Sequence, residues 1–176
     1  MCKTLTVAAE AMATRFEVAI HGAEESILRA AAEEALEEIV RLESILSFFQ
    51  PTSEITNIND HAAREPVTVS PELLTLLLRC RSLHAETGGV FDITVALLMR
   101  CWRFMNDTGA VPTEEAIAAA LACTGMQHVR LDEENCTVSL AKEGMMLDLG
   151  SIGKGYALEQ AAELLVENEF EHFLIH

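Results

Sequence analysis

Apolar residues recur every three or four positions along one long segment near the start of the chain. Between Glu24 and about Phe48 this stripe is formed by Ile27, Ala31, Ala35, Ile39, Leu42 and Leu46. Charged residues occupy another face at a spacing of four, namely Arg29, Glu33, Glu37 and Arg41. The pattern predicts one long amphipathic helix.

Strands and further helices are predicted on both sides of this helix. Arg15–Gly22 alternates as a half-buried strand, and Ser70–Pro71 starts a second helix that ends before Gly88. Two short helices follow, one over Thr94–Trp102 and an alanine-rich one from Thr113 to about Cys123, with a loop at Asn106–Pro112. An antiparallel meander is predicted from Gln127–Leu131, Thr137–Leu140 and Met145–Leu149, then a helix from Lys154 and a buried final strand at Phe170–His176. The predicted class is α+β, with residues 1–176 in a single domain.

Composition excludes several classes of protein. The 176 residues carry 12 Lys and Arg against 28 Asp and Glu, a net charge of −16, which argues against nucleic-acid binding. Charges interrupt every apolar run before about 18 residues, so no membrane span is expected. The five cysteines form no CxxC or Cys/His cluster, which argues against a thiolate metal site, and the lack of a secretory signal predicts a cytoplasmic protein without disulfides.

A glycine-rich segment, Asp148–Tyr156, lies between a predicted strand and a predicted helix. Backbone amides at a helix N-terminus, together with Lys154, would favour a phosphate. The segment fits neither a Walker A loop nor the dinucleotide fingerprint, because Gly155 follows Lys154 and the glycine spacing is reversed. A plain connecting turn is the alternative interpretation.

Two other segments carry candidate site residues. In Thr87–Thr94, Asp92 either contributes to a site or caps the next helix. Ser47–Asn59 is predicted to be a polar loop that includes two aromatic residues, Phe48 and Phe49. Their rings either stack on a ligand or belong to the core. No histidine or carboxylate pair stands out, and no catalytic residue is assigned.

Taken in order, these segments resemble the ApbE family, the FAD:protein FMN transferases. Met12-Ala-Thr14 is similar to that family's Met-Gly-Thr opening, and Leu46-Ser47 through Ser53-Glu54-Ile55 to Asn59 resembles its Ser-Glu-hydrophobic-Asn segment. Gly89-Val-Phe-Asp-Ile-Thr94, followed by Leu97-Leu98 and Trp102, resembles its Gly-Ala-Phe-Asp-x-Thr stretch. Asp148-Leu149 with Ile152-Gly-Lys-Gly-Tyr156 resembles its Asp-Leu-x-x-Ile-x-Lys-Gly-Tyr segment.

The resemblance implies a fold, an activity and a set of roles. The fold would be a largely antiparallel sheet packed with long amphipathic helices, and the activity a Mg²⁺-dependent transfer of FMN from FAD to a Thr or Ser hydroxyl of a target protein, releasing AMP. The FAD site would be lined by Met12, Phe49, Val90, Phe91, Asp92 and Lys154, and the carbonyl of Ser151 would help to hold the metal. Ala13 stands where the family has glycine, Phe49 where Tyr or Trp is common, and Ser151 at a variable small-residue position.

The family continues beyond the last residue of this chain. Its Asn-x-Gly-Gly-Asp and His-x-x-Asp-Pro-x-Thr-Gly segments, which supply metal ligands, are absent, so we expect a C-terminally truncated fragment that is inactive or nearly so by itself. Two alternatives remain open, namely an FAD pyrophosphate hydrolase giving FMN and AMP, and a non-catalytic FAD-binding module. An exported lipoprotein whose signal was removed, with Cys2 as the anchor, is the alternative to a cytoplasmic location.

Overall fold

The computed structural model describes residues 3–104 and 109–176. The chain divides into two compact units, Met1–Ser47 with Ile152–His176, and Phe48–Ser151. Cys2, and residues 106–108 of the predicted loop at Asn106–Pro112, lie outside the described residues. The single domain over residues 1–176 remains a prediction.

The chain combines helices with strands that pair antiparallel, as expected for the α+β class. The strands are β1 (Lys3–Ala11), β2 (Thr14–Gly22), β3 (Val67–Thr68), β4 (Val129–Asp132), β5 (Thr137–Leu140) and β6 (Phe173–Ile175). The helices are α1 (Glu25–Leu46), α2 (Glu54–His61), α3 (Pro71–Glu86), α4 (Ala96–Cys101), α5 (Glu114–Ala122) and α6 (Gly153–Glu167). None of these helices is both long and apolar enough to cross a membrane.

The first unit packs α1 and α6 with an antiparallel sheet of order β1-β2-β6. Phe16, Val18 and Ile20 point into its core, as the alternation predicts. Five of the six predicted stripe residues are buried, whereas Ile27 is 54% exposed and its neighbour Leu28 is buried instead. The buried face also includes Ala32 and Leu36, so it is centred on the side of Leu28, and Ile27 lies beyond its edge.

Both ends of this sheet differ from the prediction. The sequence pattern does not reveal β1, which pairs with β2 along its whole length from Lys3–Gly22 to Ala11–Thr14. The final strand is shorter than predicted and is not buried, since Leu174 is 59% exposed. Strand β6 pairs with β2 on one side only and is an edge strand of the described sheet.

The second unit contains α2–α5 and a sheet of order β3-β5-β4. Ser70 and Thr113 cap α3 and α5 through side-chain oxygens that accept backbone N–H bonds, as predicted. Burial raises the pKa of the Cys80 thiol to about 12, so this side chain behaves as a small apolar residue. The described cysteines are free thiols.

The predicted third strand of the meander, Met145–Leu149, is wrong as a strand. Its side chains alternate as predicted, with Met145, Leu147 and Leu149 buried. However, β5 pairs with β4 on one side and with β3 on the other, and residues 145–149 join neither. This segment is extended backbone held by other partners.

The tight turn between β1 and β2 contains two non-glycine residues with positive φ, Met12 at 49° and Ala13 at 56°. Left-handed backbone costs an L-residue about 1–2 kcal/mol, and glycine adopts it freely. We therefore expect Ala13→Gly to raise the free energy of unfolding by about 0.5–1 kcal/mol, measured by urea unfolding followed by circular dichroism. Ala8→Gly, at an exposed position of β1 in extended backbone, is the control and should lower stability. A loss in both variants would contradict the strain argument.

Candidate functional site

A tight turn after α3 forms the centre of the candidate site. Gly88 and Gly89 have φ angles of 63° and 87°, which other residues rarely adopt. The Thr87 hydroxyl donates to the Leu83 carbonyl at 2.8 Å and accepts from the Phe91 N–H at 3.0 Å. These bonds fold the turn back onto α3 and leave the Val90 side chain projecting, 89% exposed.

Asp92 closes this turn from within. Its Oδ1 accepts from the Thr94 N–H at 2.8 Å and from the Thr94 hydroxyl at 2.6 Å. Thr94 is fully buried, and its hydroxyl also accepts the Gly125 N–H at 2.6 Å. Helix α4 starts later, with Val95 at its N-cap and no side-chain cap. Asp92 therefore fixes the turn rather than capping the next helix.

His84 belongs to the same arrangement, although the sequence alone gives no reason to select it. It lies in the last turn of α3, with its Nδ1 2.8 Å from the Phe91 carbonyl oxygen and 3.6 Å from Asp92 Oδ2. His84 lies three residues before Thr87 and therefore on the helix face nearest the turn, a spacing that does not by itself indicate a role.

The extended segment 145–149 leads from the core to Ser151. The Asn59 side chain accepts from the Leu147 N–H at 2.7 Å and donates to the Leu147 carbonyl at 3.0 Å, so one amide group replaces a neighbouring strand. The Asp148 N–H donates to the Ile93 carbonyl at 2.8 Å, which places this segment beside the Asp92 turn. Asp148 Oδ1 accepts from the Gly150 N–H at 2.8 Å, and Ser151 is exposed.

Phe49 is an exposed residue, not a core residue. Its side chain is 72% exposed and meets Phe48 edge to face at 5.4 Å, while the Arg100 guanidinium lies 5.3 Å from the centre of the Phe48 ring. The predicted polar loop over Ser47–Asn59 is wrong in its second half, which forms α2. The Ser53 hydroxyl caps that helix by accepting the Thr56 N–H.

Met12 and Lys154 lie in the other unit. Met12 is half-buried in the β1–β2 turn, and Lys154 is exposed in the first turn of α6. That first turn contains no acidic residue, and its N-cap, Ile152, provides no side-chain bond. Within residues 3–104 and 109–176, Lys154 makes no ion pair. The α6 N-terminus therefore presents amide groups and one cation without a counter-charge of its own.

The structure thus brings some of the predicted residues together and leaves others separate. Val90, Phe91 and Asp92 share one turn, and the segment that ends at Ser151 runs beside it. Phe49 packs with Phe48 in the same unit, whereas Met12 and Lys154 belong to the other one. Among the residues that the structure describes, no group of three or more His, Cys, Asp or Glu side chains is arranged to hold a metal ion.

Known proteins show the same sequence pattern and fold. The model of the ApbE family matches residues 12–176. An FAD:protein FMN transferase from Klebsiella pneumoniae (strain 342) is 34% identical over 147 residues, which is 84% of this chain and 46% of the relative. One from Treponema pallidum (strain Nichols) is 30% identical over 153 residues, 84% of this chain and 42% of the relative.

Solved structures agree with these matches. The ApbE protein of Thermotoga maritima is similar with a TM-score of 0.89 and 30% identity, over 99% of this chain and 56% of that one. The flavin transferase ApbE of Vibrio cholerae has a TM-score of 0.86 and 25% identity, over 100% of this chain and 57% of that one. The chain spans about half the length of the curated relatives it matches. On the sequence match and the shared fold together, the chain belongs to the ApbE family.

Proposed function

We propose that the protein of which this chain forms all or part is a flavin transferase that moves FMN from FAD to a Thr or Ser hydroxyl of a target protein. The observation that carries the proposal is the turn at residues 87–94, where the part-buried bonds between Asp92 and Thr94 and the buried bond from Gly125 to Thr94 fix a loop with an exposed Val90. A pre-ordered loop binds a ligand without first losing conformational entropy. Relatives at 34% and 30% identity are named FAD:protein FMN transferases.

The N-terminus of α6 supports the phosphate part of this proposal. FAD contains a pyrophosphate, which needs cationic and N–H partners. Lys154 and the uncapped amides of α6 have this chemistry, and no carboxylate in the first helical turn opposes an anion. A local cation also explains how a chain with a net charge of −16 could accept a dianion.

A divalent metal, with Mg²⁺ as the proposed ion, would neutralise the remaining phosphate charge. Hard cations prefer oxygen ligands, and Mg²⁺ commonly keeps several waters and phosphate oxygens among its ligands. The carbonyl of the exposed Ser151 fits as one such ligand. Among the described residues no group of three or more His, Cys, Asp or Glu side chains is arranged to hold a metal ion, so in this proposal FAD oxygens and water would supply further ligands.

The proposed reaction is a phosphoryl transfer. The acceptor hydroxyl oxygen forms a bond to the FMN phosphorus and loses its proton, while the bond from that phosphorus to the bridging oxygen breaks and AMP leaves with this oxygen. Such transfers depend chiefly on positioning and on neutralising charge. None of the described residues is assigned as the base.

The test is isothermal titration of FAD with Mg²⁺ present. We expect FAD to bind, and we expect Lys154→Ala to weaken the binding about tenfold. A hydrogen bond to a charged group contributes about 1.5–3 kcal/mol, and a bond from the exposed Lys154 to the pyrophosphate should lie at the lower end of that range. Asp92→Ala should also weaken binding, by loosening the turn. Lys3→Ala, another exposed lysine of the same unit, is the charge-matched control and should leave the affinity unchanged.

The products then distinguish transfer from hydrolysis. Covalent flavin on an acceptor peptide, together with AMP, supports transfer, whereas free FMN with AMP supports a hydrolase. If neither this chain nor the product of the complete reading frame binds FAD, the proposal is wrong.

A further inference from the structure

Besides the Asp92–Thr94 hydrogen bonds, the turn between α3 and α4 is held by His84, a residue outside the Gly89–Thr94 motif. We propose that His84 is a positioning residue, whose ring Nδ1–H holds the Phe91 carbonyl and thereby fixes the exposed loop at Val90 and Phe91. This inference rests on the proposed function for its consequence in flavin binding. Its structural part stands on the contacts of His84 alone.

Three distances show how the imidazole lies relative to the turn. Nδ1 lies 2.8 Å from the Phe91 carbonyl oxygen, within hydrogen-bond distance. Asp92 Oδ2 lies 3.6 Å from the same nitrogen, too far for a hydrogen bond. A Cβ atom built at Gly89 would lie 3.6 Å from the ring, so the ring lies near this residue. His84 therefore lies near the loop at its start and at its end.

The hydrogen bond fixes which ring nitrogen carries the proton. A carbonyl oxygen can only accept, so Nδ1 must donate. In the neutral ring this leaves Nε2 without a proton. The structure thus assigns the Nδ1–H tautomer to His84.

The bond matters because it holds the carbonyl of Phe91, which the Asp92 and Thr94 bonds do not reach. Val90 is 89% exposed and contributes nothing to the core. Besides the Asp92–Thr94 bonds, the loop is held by the Thr87 hydroxyl bond to Phe91 and by backbone bonds to the end of α3, including Gly89 N–H to the His84 carbonyl at 2.8 Å. The backbone bonds survive replacement of the His84 side chain, so a substitution there isolates the effect of the ring.

The first experiment is ¹⁵N NMR of the chain without FAD, at a pH where the ring is neutral. We expect the His84 ring to show the Nδ1–H tautomer and the Val90 and Phe91 amides to have rigid order parameters. In His84→Ala those order parameters should fall, and in His84→Asn, whose Nδ2 can replace the Nδ1 donor, they should recover. An Nε2–H tautomer, or an equally rigid loop in His84→Ala, would overturn the proposal.

The second experiment measures FAD affinity of the same variants. We expect His84→Ala to bind FAD about fivefold more weakly and His84→Asn to regain most of the affinity, the change expected for one neutral hydrogen bond. His61→Ala, an exposed histidine at the end of α2 in the same unit, is the matched control and should bind as the parent does.

The two experiments separate the two proposals. A rigid loop with the Nδ1–H tautomer but no FAD binding would mean that the proposed function fails while the structural role of His84 stands. FAD binding that is equal in the parent and in His84→Ala would mean that the flavin site stands and that His84 does not position it.

Discussion

Replacing Asn59 with alanine is expected to lower the free energy of unfolding of the second unit by about 2–4 kcal/mol. The Asn59 amide makes two hydrogen bonds to the backbone of Leu147, a residue that is fully buried. Without that amide, one N–H and one C=O have no partner, and each such buried group costs about 1–3 kcal/mol. Urea unfolding followed by the fluorescence of Trp102, the one tryptophan of the sequence, reports on this unit directly.

The same helix provides the control for this substitution. Asn57 is exposed on α2, and Asn57→Ala should change stability by less than about 0.5 kcal/mol. Asn59→Asp keeps the acceptor but loses the donor, so its stability should fall between the parent and Asn59→Ala. Equal losses at positions 57 and 59 would show that helix propensity, and not the bond to Leu147, determines the effect.

The long helices could be predicted because their own sequence determines them. Helix α1 shows a continuous apolar stripe over 22 residues, and α3 adds Ser70 and Pro71 at its start. Because the stripe repeats over several turns, one wrongly assigned position such as Ile27 does not change the prediction of a helix. Strand β2 was predictable for the same reason, since Phe16, Val18 and Ile20 alternate with Glu17, Ala19 and His21.

Short or weakly patterned elements were missed. The inward residues of β1 include Ala9 and Ala11, whose small side chains make the alternation faint. Helix α2 has eight residues and buries only Ile55 and Ile58, which is too few for a clear period.

The segment 145–149 shows a different limit. Its alternation was recognised correctly, but a strand also needs a partner, and here the partner is the side chain of Asn59, 88 positions earlier in the chain. Periodicity describes one face of a segment and says nothing about what satisfies its backbone groups.

The segments that carry the candidate site could be predicted, but the hydrogen bonds that connect them could not. The family resemblance selected Asp92 and Lys154, while local sequence left open whether Asp92 caps a helix. Only the folded chain shows that the Asp92 carboxylate is bound by Thr94 and that Thr94 accepts from Gly125, 31 residues away. His84 has no motif around it and becomes visible only through its distance to Phe91.

Thr94 is the centre of that network, and we expect Thr94→Val to cost about 3 kcal/mol in unfolding free energy. Valine has nearly the same shape but no hydroxyl, so the Gly125 N–H loses its acceptor and Asp92 loses one of its two donors. A buried unpaired N–H costs about 1–3 kcal/mol, and the bond to a carboxylate contributes about 1.5–3 kcal/mol when intact. The measurement is again urea unfolding followed by Trp102 fluorescence.

Two further variants separate the hydroxyl from the packing. Thr94→Ser keeps the hydroxyl and loses only a methyl group, so it should lose about 1 kcal/mol. Thr68→Val, at an exposed position of β3 in the same unit, should be nearly neutral. If Thr94→Ser were as damaging as Thr94→Val, packing would explain the loss. If only Thr94→Val causes a large loss of unfolding free energy, the hydrogen bonds of the buried hydroxyl connect the turn at Val90 to the core. Local opening of the candidate site would then require breaking bonds that stabilise the fold.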